Sequence, residues 1–179
     1  MLIRESTEKD LPDLLDVEKQ AFGEDEGPEI VELINGLLGD LTARPLLSLV
    51  ALNGKQVVGH ILFTKVRVSM HEEIKSAILA PLAVAPDLQN TGIGGRLIAE
   101  GLRMLSESGV KLVFVLGHPD YYPRHGFRTA GVLGFEAPYL IPEEVAEAWM
   151  VQELSAGCIG SIKGKVLCAD TLDRPEYWR

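Results

Sequence analysis

A glycine-rich segment between an apolar run and an amphipathic helix places the strongest constraint on the fold. Residues 77–84 are almost entirely apolar and predict a buried strand, while residues 92–108 carry apolar side chains at helical spacing. A second buried strand is predicted for residues 110–116, after a helix stop at Gly109. A strand, a helix and a strand in this order form a βαβ unit, whose two strands run parallel. The chain therefore needs a sheet that contains a parallel pair.

The remaining segments predict helices and mostly antiparallel strands around that unit. Asn53-Gly54 is a strong hairpin signal between two strand-like runs. Pro81 interrupts the hydrogen-bond ladder of its strand, so we expect a bulge or an opening there. The other predicted elements, in chain order, are a strand at 2–4, a helix from the N-cap Asp10 to residue 22, an acidic loop at 23–27, a helix from Pro28 to a stop at Gly39, hairpin strands at 46–52 and 56–68, and late strands at 149–154 and 165–168. The predicted fold class is α/β (α+β), with a mixed, mostly antiparallel sheet, a central parallel βαβ unit and flanking helices.

Length and composition predict one soluble domain. The chain has 179 residues, of which 46% are hydrophobic and 24% are charged, enough for a single core over residues 1–179. No apolar run is long enough to cross a bilayer and the first residues lack a secretory pattern, so we expect a cytoplasmic protein without a membrane partner. Cys158 and Cys168 are expected to be reduced thiols, and no His or Cys cluster has the spacing of a zinc site.

The net charge of −9 argues against nucleic acid as a partner, because binding that polyanion requires a basic face. A cationic or amine substrate is compatible with an acidic protein, although acidity also serves solubility. The sequence leaves open whether the chain forms a homo-oligomer.

The segment 89–95 predicts an anion site. Small residues at the start of a helix leave backbone N–H groups exposed, with the positive end of the helix dipole behind them. Arg96 in the first turn adds a full positive charge. The segment lacks the third glycine of a dinucleotide fingerprint and the Gly-Lys-Ser/Thr of a P-loop. What remains is the pattern Gln89-x-x-Gly92-x-Gly94, which binds an anion or serves as a tight packing turn.

This pattern resembles the acyl-CoA motif of the GNAT superfamily of acetyl-CoA-dependent N-acetyltransferases, Gln/Arg-x-x-Gly-x-Gly/Ala between a strand and a helix. Residues 122–127, Tyr-Pro-Arg-His-Gly-Phe, resemble the Tyr-x-x-x-Gly-Phe signature of the same family. The resemblance accounts for most of residues 1–135, which we take as the core of the domain. The C-terminal extension of strands resembles predicted acetyltransferases of the YhbS type.

The resemblance implies acetyl-CoA as cofactor and assigns its binding residues. Those for the pyrophosphate are Gln89, Asn90, Thr91, Gly92, Ile93, Gly94 and Gly95, with Arg96, and those that pair by backbone with the pantetheine arm are Leu82, Ala83 and Val84. The chain departs from the family at Thr91, where a basic residue is frequent, and between Gly117 and Tyr121, where the family's common asparagine is missing.

The resemblance also implies the reaction, transfer of an acetyl group to a primary amine, and places Tyr122 at the position of the general acid. A phenol suits this role because the departing coenzyme A thiolate needs a proton. Tyr121 is the neighbouring alternative. The expected partners are acetyl-CoA and an amine acceptor, and the competing hypothesis is a non-catalytic acyl-CoA sensor.

The base that removes the proton of the amine has no diagnostic spacing. The candidates are Glu24, Asp25, Glu26, His118 and Asp120, whereas His60 reads as a core histidine. The three acids at 24–26 also favour a neutral-to-cationic acceptor.

Overall fold

A mixed sheet with a helix on each face forms the centre of the computed structural model, which describes residues 1–179. The strands are β1 (Leu2–Glu5), β2 (Leu47–Asn53), β3 (Gln56–Val68), β4 (Ser76–Val84), β5 (Leu112–Leu116), β6 (Arg128–Thr129), β7 (Phe135–Glu136), β8 (Trp149–Glu153) and β9 (Gly164–Leu167). Their order is β1-β2-β3-β4-β5-β8-β6, and β9 pairs with the far end of β3 and with β7. Along the main path only β4 and β5 run parallel, which confirms the predicted mixed, mostly antiparallel sheet with a central βαβ unit.

The first helix, α1 (Leu11–Leu38), has Asp10 as its N-cap and ends at Gly39, which are the predicted start of the first helix and the predicted stop of the second. Its backbone is interrupted at Gly23, where φ is +85°, a conformation that glycine adopts without strain. The predicted acidic loop at 23–27 and the predicted helix start at Pro28 are both wrong, because helical structure resumes immediately after Gly23. A single left-handed residue makes the change of direction, and acidic residues are favourable in the first turn of the segment that follows.

The second helix, α2 (Ile93–Glu107), lies on the opposite face of the sheet from α1. On β3, a β-carbon added at Gly59 would lie 3.0 Å from the Leu97 side chain of α2, whereas the next residue, His60, contacts Glu18 of α1. Successive residues of a strand point to opposite faces, so the two helices cover the two sides. Two strands of two residues each, β6 and β7, were not predicted because they are too short to carry a periodic pattern.

The parallel pair at the centre of the sheet opens part-way along its length. β4 pairs with β5 from Ser76 to Leu79 only, while it stays paired with β3 as far as Val84. The β3–β4 register shifts at the position opposite Pro81, so the predicted bulge and opening both occur there. Beyond Pro81 the β5-facing edge of β4 has no partner strand.

Neither helix combines the length and the apolar composition that a membrane-spanning helix requires. The structure also contains no group of three or more His, Cys, Asp or Glu side chains arranged to hold a metal ion.

Candidate functional site

The turn into α2 presents unpaired backbone donors. Asn90 has a φ of +64° and Gly92, the N-cap, has a φ of +91°. The first helical hydrogen bond runs from the Arg96 N–H to the Gly92 carbonyl, at 3.1 Å. The N–H groups of Ile93, Gly94 and Gly95 therefore have no partner within the helix, and they lie at the positive end of its dipole.

Two aromatic side chains lie directly over the glycines of this turn. A β-carbon added at Gly94 would lie 2.5 Å from the Tyr121 hydroxyl, and one added at Gly95 would lie 2.9 Å from Cε1 of His125. The guanidinium of Arg124 stacks over the Tyr121 ring, 5.3 Å from its centroid. Burial, together with the charge of Arg124, lowers the pKa of His125 below its ordinary value of 6.5.

A cleft of about 990 Å³ joins this turn to the opening between β4 and β5. Nine of the eleven residues predicted for the cofactor line it, namely Leu82, Ala83, Val84, Gln89, Asn90, Gly92, Ile93, Gly94 and Gly95. Thr91 and Arg96 do not line it: the Thr91 hydroxyl donates to the Leu88 carbonyl and the Arg96 side chain is exposed. The cleft continues past Pro81 towards α1 and the C-terminal residues.

Tyr122 lines the cleft where β5 ends. Its ring covers Gly117, where an added β-carbon would lie 2.5 Å from the ring, and it packs edge-to-face on Tyr121 and Phe127. Only 8% of the residue is exposed. Burial raises the pKa of the phenol well above its ordinary value of 10.0, and the charges of Tyr121 and Glu18 add to the shift. Tyr122 therefore stays protonated across the physiological range.

The neighbouring Tyr121 is only half-buried and its hydroxyl lies at Gly94, close to the unpaired donors. Burial raises its pKa as well. The two tyrosines are thus separated in position, with the Tyr121 hydroxyl at the start of α2 and the Tyr122 ring at the end of β5.

Among the predicted bases, the structure brings Glu26 and His118 to the cleft but not Glu24, Asp25 or Asp120. Glu26 is the one carboxylate that lines the cleft, on the α1 side. The other charged or titratable lining groups apart from the tyrosines are His118, Arg124 and His125, all in the segment that follows β5.

A buried chain of hydrogen bonds links α1 to β3 and β2. His60 Nδ1 lies 2.6 Å from Oε1 of Glu18, and His60 Nε2 lies 2.9 Å from the Ser48 hydroxyl. Glu18 and His60 are both fully buried, and Oε2 of Glu18 has no hydrogen-bond partner. Burial raises the pKa of Glu18, although the bond to His60 opposes the shift. His60 is a hydrogen-bonded core histidine, as predicted.

Replacing His60 by leucine is expected to destabilise the protein by about 3–5 kcal/mol, because Glu18 then stays buried with neither oxygen partnered. Urea unfolding followed by circular dichroism measures the change. Replacing both Glu18 and His60 by leucine is the control and should cost less than the single change, since no buried carboxylate is left without a partner and Ser48 keeps its hydrogen bond from Ser6. A single variant within about 1 kcal/mol of the wild type would contradict this account of the pair.

Comparison with known proteins shows which family has this fold and site. A family model described as an acetyltransferase (GNAT) domain matches residues 2–130. The chain belongs to the GNAT family. Among GNAT proteins it is similar to the uncharacterized N-acetyltransferase YjhQ of Escherichia coli (strain K12), with 47% identity over 165 residues that cover 90% of this chain and 88% of the relative.

Two solved GNAT structures share the fold over nearly the whole chain. YhbS from Escherichia coli, in complex with CoA, has a TM-score of 0.85 and 28% identity, covering 97% of this chain and 92% of YhbS. A GNAT family acetyltransferase from Brucella melitensis, in complex with acetyl-CoA, has a TM-score of 0.71 and 28% identity, covering 96% of this chain and 97% of the other. The predicted family, its YhbS-type resemblance and the predicted GNAT-like fold are confirmed.

Two features of the site were missed from the sequence. Glu18 follows Leu14 by one helical turn and therefore lies on the apolar face of the helix. A carboxylate at such a position is a sequence signal of a buried polar group. Tyr177 and Trp178 also line the cleft, and nothing in the local sequence indicates that the end of the chain folds back onto α1.

Proposed function

We propose that this GNAT protein transfers an acetyl group from acetyl-CoA to a primary amine. The observation that carries the proposal is the continuity of one cleft from the unpaired N–H groups of α2, along the free edge of β4, to the buried phenol of Tyr122. YhbS in complex with CoA and the Brucella melitensis enzyme in complex with acetyl-CoA support the cofactor.

Each part of the cleft suits one part of acetyl-CoA. The N–H groups of Ile93, Gly94 and Gly95 bind the diphosphate, because they are unpaired donors at a helix N-terminus. Residues 82–84 offer peptide groups to the amides of the pantetheine arm along the edge that β5 leaves free. We leave Thr91 and Arg96 out of this assignment, since neither residue lines the cleft and the Thr91 hydroxyl donates to the Leu88 carbonyl.

Tyr122 donates the proton that the departing sulfur requires. Its raised pKa keeps it protonated, and its ring position at Gly117 places it beside the opening between β4 and β5. Tyr121 is the weaker candidate because its hydroxyl lies over Gly94, at the diphosphate end of the cleft. An amine with a pKa of ~10.4 must also lose a proton before attack, at a cost of ~4.6 kcal/mol at pH 7. Among the residues predicted as bases we propose Glu26 or His118 as the group that receives it, since these two line the cleft.

Acetyl-CoA is expected to raise the melting temperature of the protein. A ligand at about 100 times its dissociation constant stabilises the native state by ~2.7 kcal/mol, which is about 5–10 °C for a chain of this size. Differential scanning fluorimetry with acetyl-CoA measures the shift. Buffer alone and free adenosine are the controls, since neither contains the diphosphate. No shift at saturating acetyl-CoA would remove the cofactor assignment.

A further inference from the structure

The end of the same cleft away from the α2 turn forms an apolar compartment. It is lined by Phe22, Ile30, Leu33, Leu172, Tyr177 and Trp178. Leu33, Leu172 and Trp178 belong to one hydrophobic cluster of the protein, whereas Ile93 and Tyr122 at the cofactor end belong to another. The two ends of the cleft are therefore built on different parts of the core.

The C-terminal segment, residues 170–179, forms a fixed side of this compartment. The Trp178 indole donates to the Leu172 carbonyl at 3.0 Å and packs edge-to-face on Trp149, which leaves only 2% of Trp178 exposed. Asp40, just after α1, accepts hydrogen bonds from the Thr171 N–H at 2.9 Å and from the Thr171 hydroxyl at 2.7 Å. These contacts hold an aromatic surface against the second half of α1.

Exposed carboxylates outnumber the arginine at the mouth of the compartment, where Glu26, Glu29, Glu32, Glu176 and Arg174 lie. Glu26 lines the cleft and is exposed to solvent. Burial raises the pKa of the Tyr177 phenol, Arg174 opposes the shift, and Glu32, Glu176 and Glu29 each add a smaller increase. An acidic mouth attracts a cation, and the face of an aromatic ring also favours one.

The apolar interior then acts on the ammonium group in the opposite sense. Burial in a poorly solvated place disfavours the charged form of an amine and lowers its pKa. The carboxylates at the mouth attract the charged amine first, and desolvation further in then favours loss of its proton. This order suits the reaction, because the nucleophile must be neutral. A polar or polyhydroxylated body would lose its hydration against these side chains without gaining partners.

We infer that the acetyl acceptor is a small primary amine on an apolar body of about the size of an aromatic ring, held between the second half of α1 and the C-terminal segment. The inference rests on the proposed acetyl transfer and adds to it the class of acceptor.

The test compares two probe amines that differ by one ring, phenethylamine and ethylamine. Burial of the ring predicts a kcat/KM for phenethylamine about 10- to 100-fold above that for ethylamine, with acetyl-CoA saturating. Tyr177→Ala is expected to raise the KM for phenethylamine about tenfold more than it raises the KM for ethylamine. Tyr177→Phe, which keeps the ring, is the matched control and should behave as the wild type.

A binding measurement separates this inference from the proposed function. Phenethylamine added to the protein with coenzyme A should change its tryptophan fluorescence, because Trp178 lines the compartment and the only other tryptophan packs on it. Binding of phenethylamine without acetylation would support the compartment and contradict the transferase. Equal kcat/KM for the two probes, an equal effect of Tyr177→Ala on both, or absence of both binding and acetylation would overturn the inference.

Discussion

Gly94→Asp is expected to weaken acetyl-CoA binding by at least about 100-fold. The new carboxylate would project from the first turn of α2, among the unpaired N–H groups that we assign to the diphosphate. Two unit charges ~4 Å apart repel by ~4 kcal/mol at an effective dielectric constant of ~20, more than the ~2.8 kcal/mol that corresponds to 100-fold. Isothermal titration of acetyl-CoA measures the loss directly.

Two further variants test whether the loss of binding comes from the added charge, from the added bulk or from the position of the substitution. Gly94→Ala adds only the β-carbon, which displaces the end of the Tyr121 side chain, and should weaken binding far less than aspartate. Ala99→Asp adds the same charge to an exposed position of α2 beyond the turn and should bind acetyl-CoA as the wild type does. Retention of tight binding by Gly94→Asp would move the diphosphate away from this turn.

Tyr122→Phe is expected to lower the single-turnover rate of acetyl transfer by about 10²- to 10⁴-fold, the range of positioned acid catalysis. Its affinity for acetyl-CoA should stay close to that of the wild type, because the ring that packs on Gly117, Tyr121 and Phe127 is kept. A loss in rate without a loss in binding is the pattern of a group that acts only as the sulfur departs. Rapid-quench measurement at saturating acetyl-CoA excludes product release from the comparison.

The pH dependence gives an independent check on the same residue. Burial raises the pKa of Tyr122 above 10.0, so its acid form persists until the pH passes that raised value. The wild-type single-turnover rate should therefore rise as the amine loses its proton and show no falling limb below about pH 10. Tyr121→Phe is the control and should keep both the rate and the profile. A Tyr122→Phe enzyme with the wild-type rate and profile would assign this tyrosine to packing.

The opening of the sheet and the turn into α2 were predictable because each depends on local chemistry. Pro81 cannot donate a hydrogen bond to a ladder, and glycines at 92, 94 and 95 leave the helix start free of side chains. The sequence also predicted the break in α1 at Gly23, but it did not predict the length of the connection between the two helical segments. A glycine at positive φ can change the direction of a helix within one residue or can begin a loop, and the composition of the segment does not distinguish these two outcomes.

The end of the cleft that we assign to the acceptor could not be predicted for a different reason. Its surfaces come from α1 and from residues 172–178, which are far apart in sequence and meet only through tertiary contacts such as Asp40 with Thr171. The pairing of Glu18 with His60 is equally long-range. Local patterns predict which residues are strands and helices, whereas the partners of a buried polar group depend on how those elements pack.

Transfer of a deuterated acetyl group tests the central claim most directly. The protein is incubated with acetyl-CoA labelled in the acetyl group and with a panel of primary amines that includes phenethylamine, and the products are identified by mass spectrometry. We predict that the label appears on the nitrogen of at least one amine at a rate that depends on Tyr122, with release of one free thiol for each acetyl group transferred. Binding of acetyl-CoA with no labelled amine and no thiol release above the rate without protein would contradict the account and identify the chain as an acyl-CoA sensor.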